Sequence, residues 1–135
     1  MSLILTEEQE LLKDSAASFV ADNWQIGELR KMRNRNDGPG YDADLWRQMA
    51  ALGWAAIPFP ETCGGLGLGY AELGVVLEEL GRELVVAPLL SSVVLGGGTV
   101  DLAGSAGQKQ ALLPGVCDGS RLLSLAYHET PRHDT

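Results

Sequence analysis

Seven residues, Cys63-Gly64-Gly65-Leu66-Gly67-Leu68-Gly69, contain four glycines, a density at which backbone N–H groups could cradle a phosphate. The dinucleotide pattern needs a further glycine three positions after Gly69, and Glu72 stands there. The P-loop needs Gly-Lys-Ser/Thr, which the sequence lacks. Pro58 and Pro60 also break the strand that should precede either motif. The residues therefore point to a tight structural turn that lets backbone segments approach closely. Glu72, Glu78 and Glu79 could do acid–base work only if one were desolvated or set beside a like charge. Their helical phase lies opposite a leucine stripe, so they read as a solvated face. His128 and His133 are five positions apart in a polar tail, and zinc would need two more ligands. Ser120 and Ser124 have no visible Ser-His-Asp context. Cys63 and Cys117 lack metal spacing and read as two reduced thiols. No catalytic residue and no metal site emerges from these candidates.

The elements that would carry these residues are helical. Thr6-Glu7-Glu8-Gln9 has the form of a capping box, followed at helical spacing by Leu12, Ala16, Phe19 and Val20. That helix should fade near Asp22 to Trp24. Residues 30–40 read as a polar, basic loop with turn chemistry at Asp37 to Gly40. Tyr41 to Gly53 reads as a second helix, with Asp42 as N-cap and Gly53 at its end. Trp54 to Pro60 is then expected to be an extended apolar connection, which its two prolines keep from being a regular helix. From Tyr70 to about Val86, Leu73, Val76, Leu77, Leu80 and Leu84 mark an amphipathic helix, with Glu78 and Arg82 paired on its exposed side.

Pro88 can open another helix, and Leu89 to Ala103 is apolar nearly all round, which predicts burial on most sides. Ser105-Ala106-Gly107-Gln108 is a second capping box, leading Lys109 to Leu113 into a short helix punctuated by Pro114 and Gly119. Residues 121–127 turn β-like, and one strand alone is not stable in water. The expectation is an all-α domain over 1–120 and the first strand of an incomplete middle β domain over 121–135.

Composition sets the outer limits. A chain of 135 residues, 45% hydrophobic and 21% charged, fits one soluble globular domain. Its formal net charge of −8 disfavours nucleic acid as a partner. No run of apolar residues is long enough to cross a membrane, and no secretion signal is visible, so a cytoplasmic location is expected.

Pro60-Glu61-Thr62-Cys63-Gly64-Gly65-Leu66-Gly67-Leu68-Gly69, then Glu79-Leu80-Gly81-Arg82, resembles the N-terminal domain signature of acyl-CoA dehydrogenases. Leu5-Thr6-Glu7-Glu8-Gln9, the stretch Trp46 to Ile57, Gly107-Gln108-Lys109, Leu112-Leu113-Pro114 and Asp118-Gly119 resemble the same family in the same order. The resemblance covers nearly the whole chain, with a gap at the 30–40 loop. It implies a helical N-terminal domain, a middle β domain and a C-terminal four-helix domain, with FAD between the last two and a neighbouring subunit. It also implies proton abstraction α to a thioester carbonyl by a carboxylate and hydride transfer from the β carbon to the flavin. In familiar members that carboxylate lies beyond the stretch that Thr135 ends, so this chain would hold no catalytic residue.

Three roles are carried over by position. Pro88, Ser92, Val93 and Gly96 match acyl-chain-lining positions, and their small size implies a bulky or branched acyl group on the CoA substrate. Trp54, Leu66, Leu68 and Val76 match the hydrophobic docking site for electron-transferring flavoprotein. Tyr127, His128 and Glu129 match a flavin-contacting strand, although His128 stands where familiar members have Thr, and Arg132-His133-Asp134 replaces the usual Gly-Ser-Asp. The family is usually oligomeric. Two other readings stay open: a catalytically silent subunit that pairs with an active partner, and a helical interaction module using Leu89 to Leu95.

Overall fold

A computed structural model describes residues 4–35 and 38–127, and among them every regular element is helical. The α-helices are α1 (Glu7–Asn23), α2 (Ile26–Asn34), α3 (Ala43–Ala51), α4 (Tyr70–Arg82), α5 (Gly98–Ala103) and α6 (Ala106–Cys117). A π-helix spans Leu89–Gly97 and runs directly into α5. Short 3-10 turns at Trp54–Ala56 and Glu61–Cys63 bracket the proline-rich connection.

The first helix starts where its side chains dictate. Thr6 Oγ1 accepts from Gln9 N–H at 3.2 Å, and Gln9 Oε1 accepts from Thr6 N–H at 3.1 Å. The same glutamine then donates from Nε2 to Glu72 Oε1 at 2.9 Å, while Glu72 Oε2 accepts from Gly69 N–H at 2.8 Å. Two helix N-termini are thus joined by one chain of hydrogen bonds. At the other end, the Trp24 indole N–H donates to Glu83 O at 3.0 Å. With start matched to start and end to end, α1 and α4 run parallel. Ala16 and Val20 of α1 are buried with Leu73, Val76 and Leu80 of α4 in one core cluster. Trp54, Ile57 and Phe59 complete that core, and Phe19 meets Trp54 edge-on at 5.1 Å between ring centroids.

The glycine turn packs back on the proline-rich connection. Leu66, Gly67 and Leu68 N–H donate to Ala56, Phe59 and Ile57 carbonyls at 2.9 to 3.0 Å. A Cβ on Gly65 would lie 2.0 Å from Phe59 O, so only glycine fits there. The turn's backbone donors are committed to the chain itself, as a structural turn requires.

Several boundaries differ from the sequence reading. α2 occupies the first half of the expected 30–40 loop, because Ile26, Leu29 and Met32 share a face and the last two pack on the core. α4 stops at Arg82 rather than near Val86. Leu84 takes a left-handed φ of 54°, Val85 N–H donates to Leu80 O and Leu84 N–H to Gly81 O, the bond pattern of a Schellman end. α6 runs through Pro114 to Cys117 rather than ending at Leu113. Arg121 Nη1 donates to Ala111 O at 2.9 Å, one residue on from the Gln110 carbonyl that Pro114 has no N–H to serve. Residues 121–127 carry no regular secondary structure, so the expected strand is not formed there.

Candidate functional site

Three consecutive glycines let three different segments press against the π-helix and the start of α5. A Cβ on Gly96 would lie 2.5 Å from Leu123 Cβ, one on Gly97 2.5 Å from Phe59 Cζ, and one on Gly98 2.7 Å from Tyr70 Oη. The helix is therefore clamped on one side by the core and by residues 121–127. Ser92 and Val93 are fully buried on that side, and Ser92 Oγ accepts from Leu123 N–H at 2.9 Å.

Ser92, Val93 and Gly96 are the residues expected to leave room for an acyl group. Their space is filled by the protein's own chain, so small size here permits close packing. Pro88 is half-buried at the start of the π-helix. The expectation of burial on most sides fails for the opposite face, where Leu90 is 57%, Leu95 41% and Leu102 85% exposed, with Ser91 and Thr99 between them. Leu84, Leu122 and Leu125 are exposed as well. The outward leucines were missed because a helix apolar all round gives no phase. The glycine run, read as the close-packed side, would have supplied it.

The expected docking residues divide into two layers. Trp54 and Val76 lie in the core and cannot touch a partner directly in this structure, whereas Leu66 and Leu68 are exposed on the glycine turn. Beside Leu66, a shallow, mostly apolar cleft is lined by Ala50, Gly53, Ala56, Pro114 and Cys117, with Asp118 at it as well.

Of the flavin-contacting positions, Tyr127 is 67% exposed, while His128 and Glu129 lie outside the described residues. An exposed phenol ring can rest against one edge of a flat ring system.

Titratable groups tell the same story of structure rather than chemistry. Glu79 is buried, contrary to the solvated reading, and Arg82 Nε neutralises it at 3.2 Å. α1 leans over that side of α4, and Ala17, Val20, Ala21 and Trp24 line the cleft with it. Glu78 does pair with Arg82 at 2.6 Å on the exposed side. The Glu72 carboxyl is held below its usual 4.5, first by the Gln9 side chain and then by backbone donors. Burial pushes the Cys117 thiol up to about 11, helped by Cys63 and Asp118 nearby. Cys63 and Cys117 are both free and buried. Among the described residues no cluster of His, Cys, Asp and Glu could hold a metal ion, and no helix is long and apolar enough to cross a membrane.

Comparison with known proteins places this geometry. The family model for the acyl-CoA dehydrogenase N-terminal domain matches residues 6–120. The acyl-CoA dehydrogenase FadE12 of Mycobacterium tuberculosis is 32% identical over 95% of the chain and 32% of its own length. The solved Tcur3481-Tcur3483 steroid acyl-CoA dehydrogenase is 36% identical, with a TM-score of 0.77 over 87% of this chain and 32% of that one. The ChsE4-ChsE5 complex from Mycobacterium tuberculosis is 29% identical, with a TM-score of 0.81 over 92% of this chain and 34% of that one. The chain thus spans about a third of the length of the relatives it matches.

Proposed function

The chain belongs to the acyl-CoA dehydrogenase family, through that family's N-terminal helical domain, and from this premise we propose that it forms one wall of the acyl pocket of an FAD-dependent α,β-dehydrogenase. One observation carries the reading. The π-helix and α5 turn Leu90, Leu95 and Leu102 outward, while their glycines and Ser92 face the protein interior. A soluble domain gains nothing from such a face unless another apolar surface covers it. A wall of leucines suits a hydrocarbon chain or ring system, which needs desolvation and shape but no hydrogen bonds. The similarity to a steroid acyl-CoA dehydrogenase supports a bulky acyl group.

Where FAD binds, it supplies the hydride acceptor. This chain's own contribution is to exclude water and orient the acyl group, with the catalytic carboxylate supplied by the other two thirds of the family's length. The test is direct. A polypeptide carrying this domain together with those parts should purify yellow and reduce an artificial electron acceptor when given an acyl-CoA. The 135-residue chain alone should do neither. A colourless protein with no turnover on any acyl-CoA would overturn the reading.

The exposed pair Leu66 and Leu68 supports electron-transferring flavoprotein as the partner at the glycine turn. A second reading has one specific support, the likeness to a complex of two different chains. In that reading this domain belongs to a catalytically silent subunit, and flavin and turnover appear only after mixing with the active partner.

A further inference from the structure

Ser92 is a fully buried hydroxyl on a helix that is otherwise glycine, leucine and valine over Leu89–Gly97, apart from Ser91 on the exposed side. An apolar residue would pack there without the cost of desolvating a hydroxyl. Among the described residues, the hydroxyl reaches another part of the chain at Leu123, accepting from its N–H at 2.9 Å. One helical turn on, Gly96 leaves a notch that the Leu123 Cβ and backbone fill, at 2.5 and 3.0 Å from where a Cβ would stand. Hydroxyl and notch thus grip the same residue by its backbone and its side chain.

The segment is also fixed two residues earlier. Arg121 N–H donates to Gly115 O at 2.8 Å, and its guanidinium to Ala111 O at 2.9 Å. Between these two anchors there is no slack for a slip. Moving the chain by one residue would offer Leu122 to the notch in place of Leu123 and shift everything downstream by about 3.3 Å. In the structure Leu122 is exposed and Leu123 half-buried, so the register is the one the two anchors dictate.

We propose that Ser92 and Gly96 are positioning residues, which set the register at which residues 121–127 cross the π-helix and hence where Tyr127 stands. They act on the segment, not on a ligand. The inference goes beyond the acyl-wall reading and does not depend on it, since neither flavin nor acyl-CoA enters the argument.

Amide hydrogen exchange followed by NMR on the 135-residue chain tests it, with the core amide of Val76 as internal reference. Ser92→Ala deletes one oxygen. The Leu123 amide should then exchange roughly tenfold faster, the effect of losing one buried hydrogen bond, while Val76 stays within about threefold. The backbone resonances that move should be those of residues 121–127. Gly96→Ala keeps the hydroxyl but fills the notch, and should give the same local pattern. Leu123 exchange that is unchanged in both variants would overturn the proposal. So would acceleration of Leu123 and Val76 by the same factor, because that marks general destabilisation rather than a lost register.

Discussion

The α1–α4 seam and the π-helix wall draw on the same side chains, leucine, valine and alanine, yet treat them in opposite ways. In the seam, two parallel helices turn Ala16, Val20, Leu73, Val76 and Leu80 onto each other and close the ends with polar locks, Gln9 to Glu72 and Trp24 to Glu83. In the wall, the small residues face inward and Leu90, Leu95 and Leu102 face out. The seam is self-sufficient, because both apolar stripes are matched and every lock is internal. On the proposed reading the wall is half of a contact. The difference teaches that apolar content alone does not locate a core. What locates it is which side of each helix carries the residues small enough to be approached.

If the seam carries the fold, damage there must cost most. Leu73→Ala removes a fully buried side chain of the seam, and should destabilise by about 2–5 kcal/mol in denaturant unfolding. A loss under about 1 kcal/mol would mean the seam is not the core.

The polar lock comes next. Glu72→Ala should cost about 1 kcal/mol at neutral pH, the value of a helix N-terminal cap. Because the folded carboxyl titrates below its usual 4.5, its contribution is present above that pH and lost as pH falls through the lower folded value. The gap between native and variant stabilities should therefore narrow on acidification. A gap that widens would contradict the assignment.

At the end of the seam, Leu84 is exposed and holds a left-handed φ of 54° that glycine adopts freely. Leu84→Gly should stabilise by roughly 0.5–1 kcal/mol, read as a rise in the unfolding midpoint.

The wall should respond least. Leu102→Ser, at a position 85% exposed, should alter stability by no more than about 0.5 kcal/mol while lowering binding of an apolar dye. A large loss would show that the leucine is already part of a core.

The seam was the legible half of the sequence. Thr6 with Gln9, Ser105 with Gln108, and Asp42 all cap the helices they were expected to cap, because a cap is local chemistry within four residues. The leucine stripe of α4 was equally plain, since its period is written in one stretch of chain. The wall was not legible, because a helix apolar all round has no phase until its partners are known. Gly96 reads as open space in the sequence, which carries no sign that Leu123 packs against it. The end of α4 is a left-handed turn at Leu84, a residue whose type does not announce one, and the Arg121 contact beside Pro114 comes from beyond the end of α6. Glu79 misled for the same reason: helical phase within α4 placed it in solvent, and α1 covers it.

The claim that the outward leucines face the acyl group can be put to one measurement. In a polypeptide carrying this domain with the other two thirds of the family's length, Leu95→Trp should be compared with the unaltered protein for kcat/KM across acyl-CoA substrates of increasing bulk. A pocket wall predicts that the bulkiest substrates lose at least about tenfold relative to the smallest, with the melting temperature unchanged. The same ratio for every acyl size in the folded variant would contradict it.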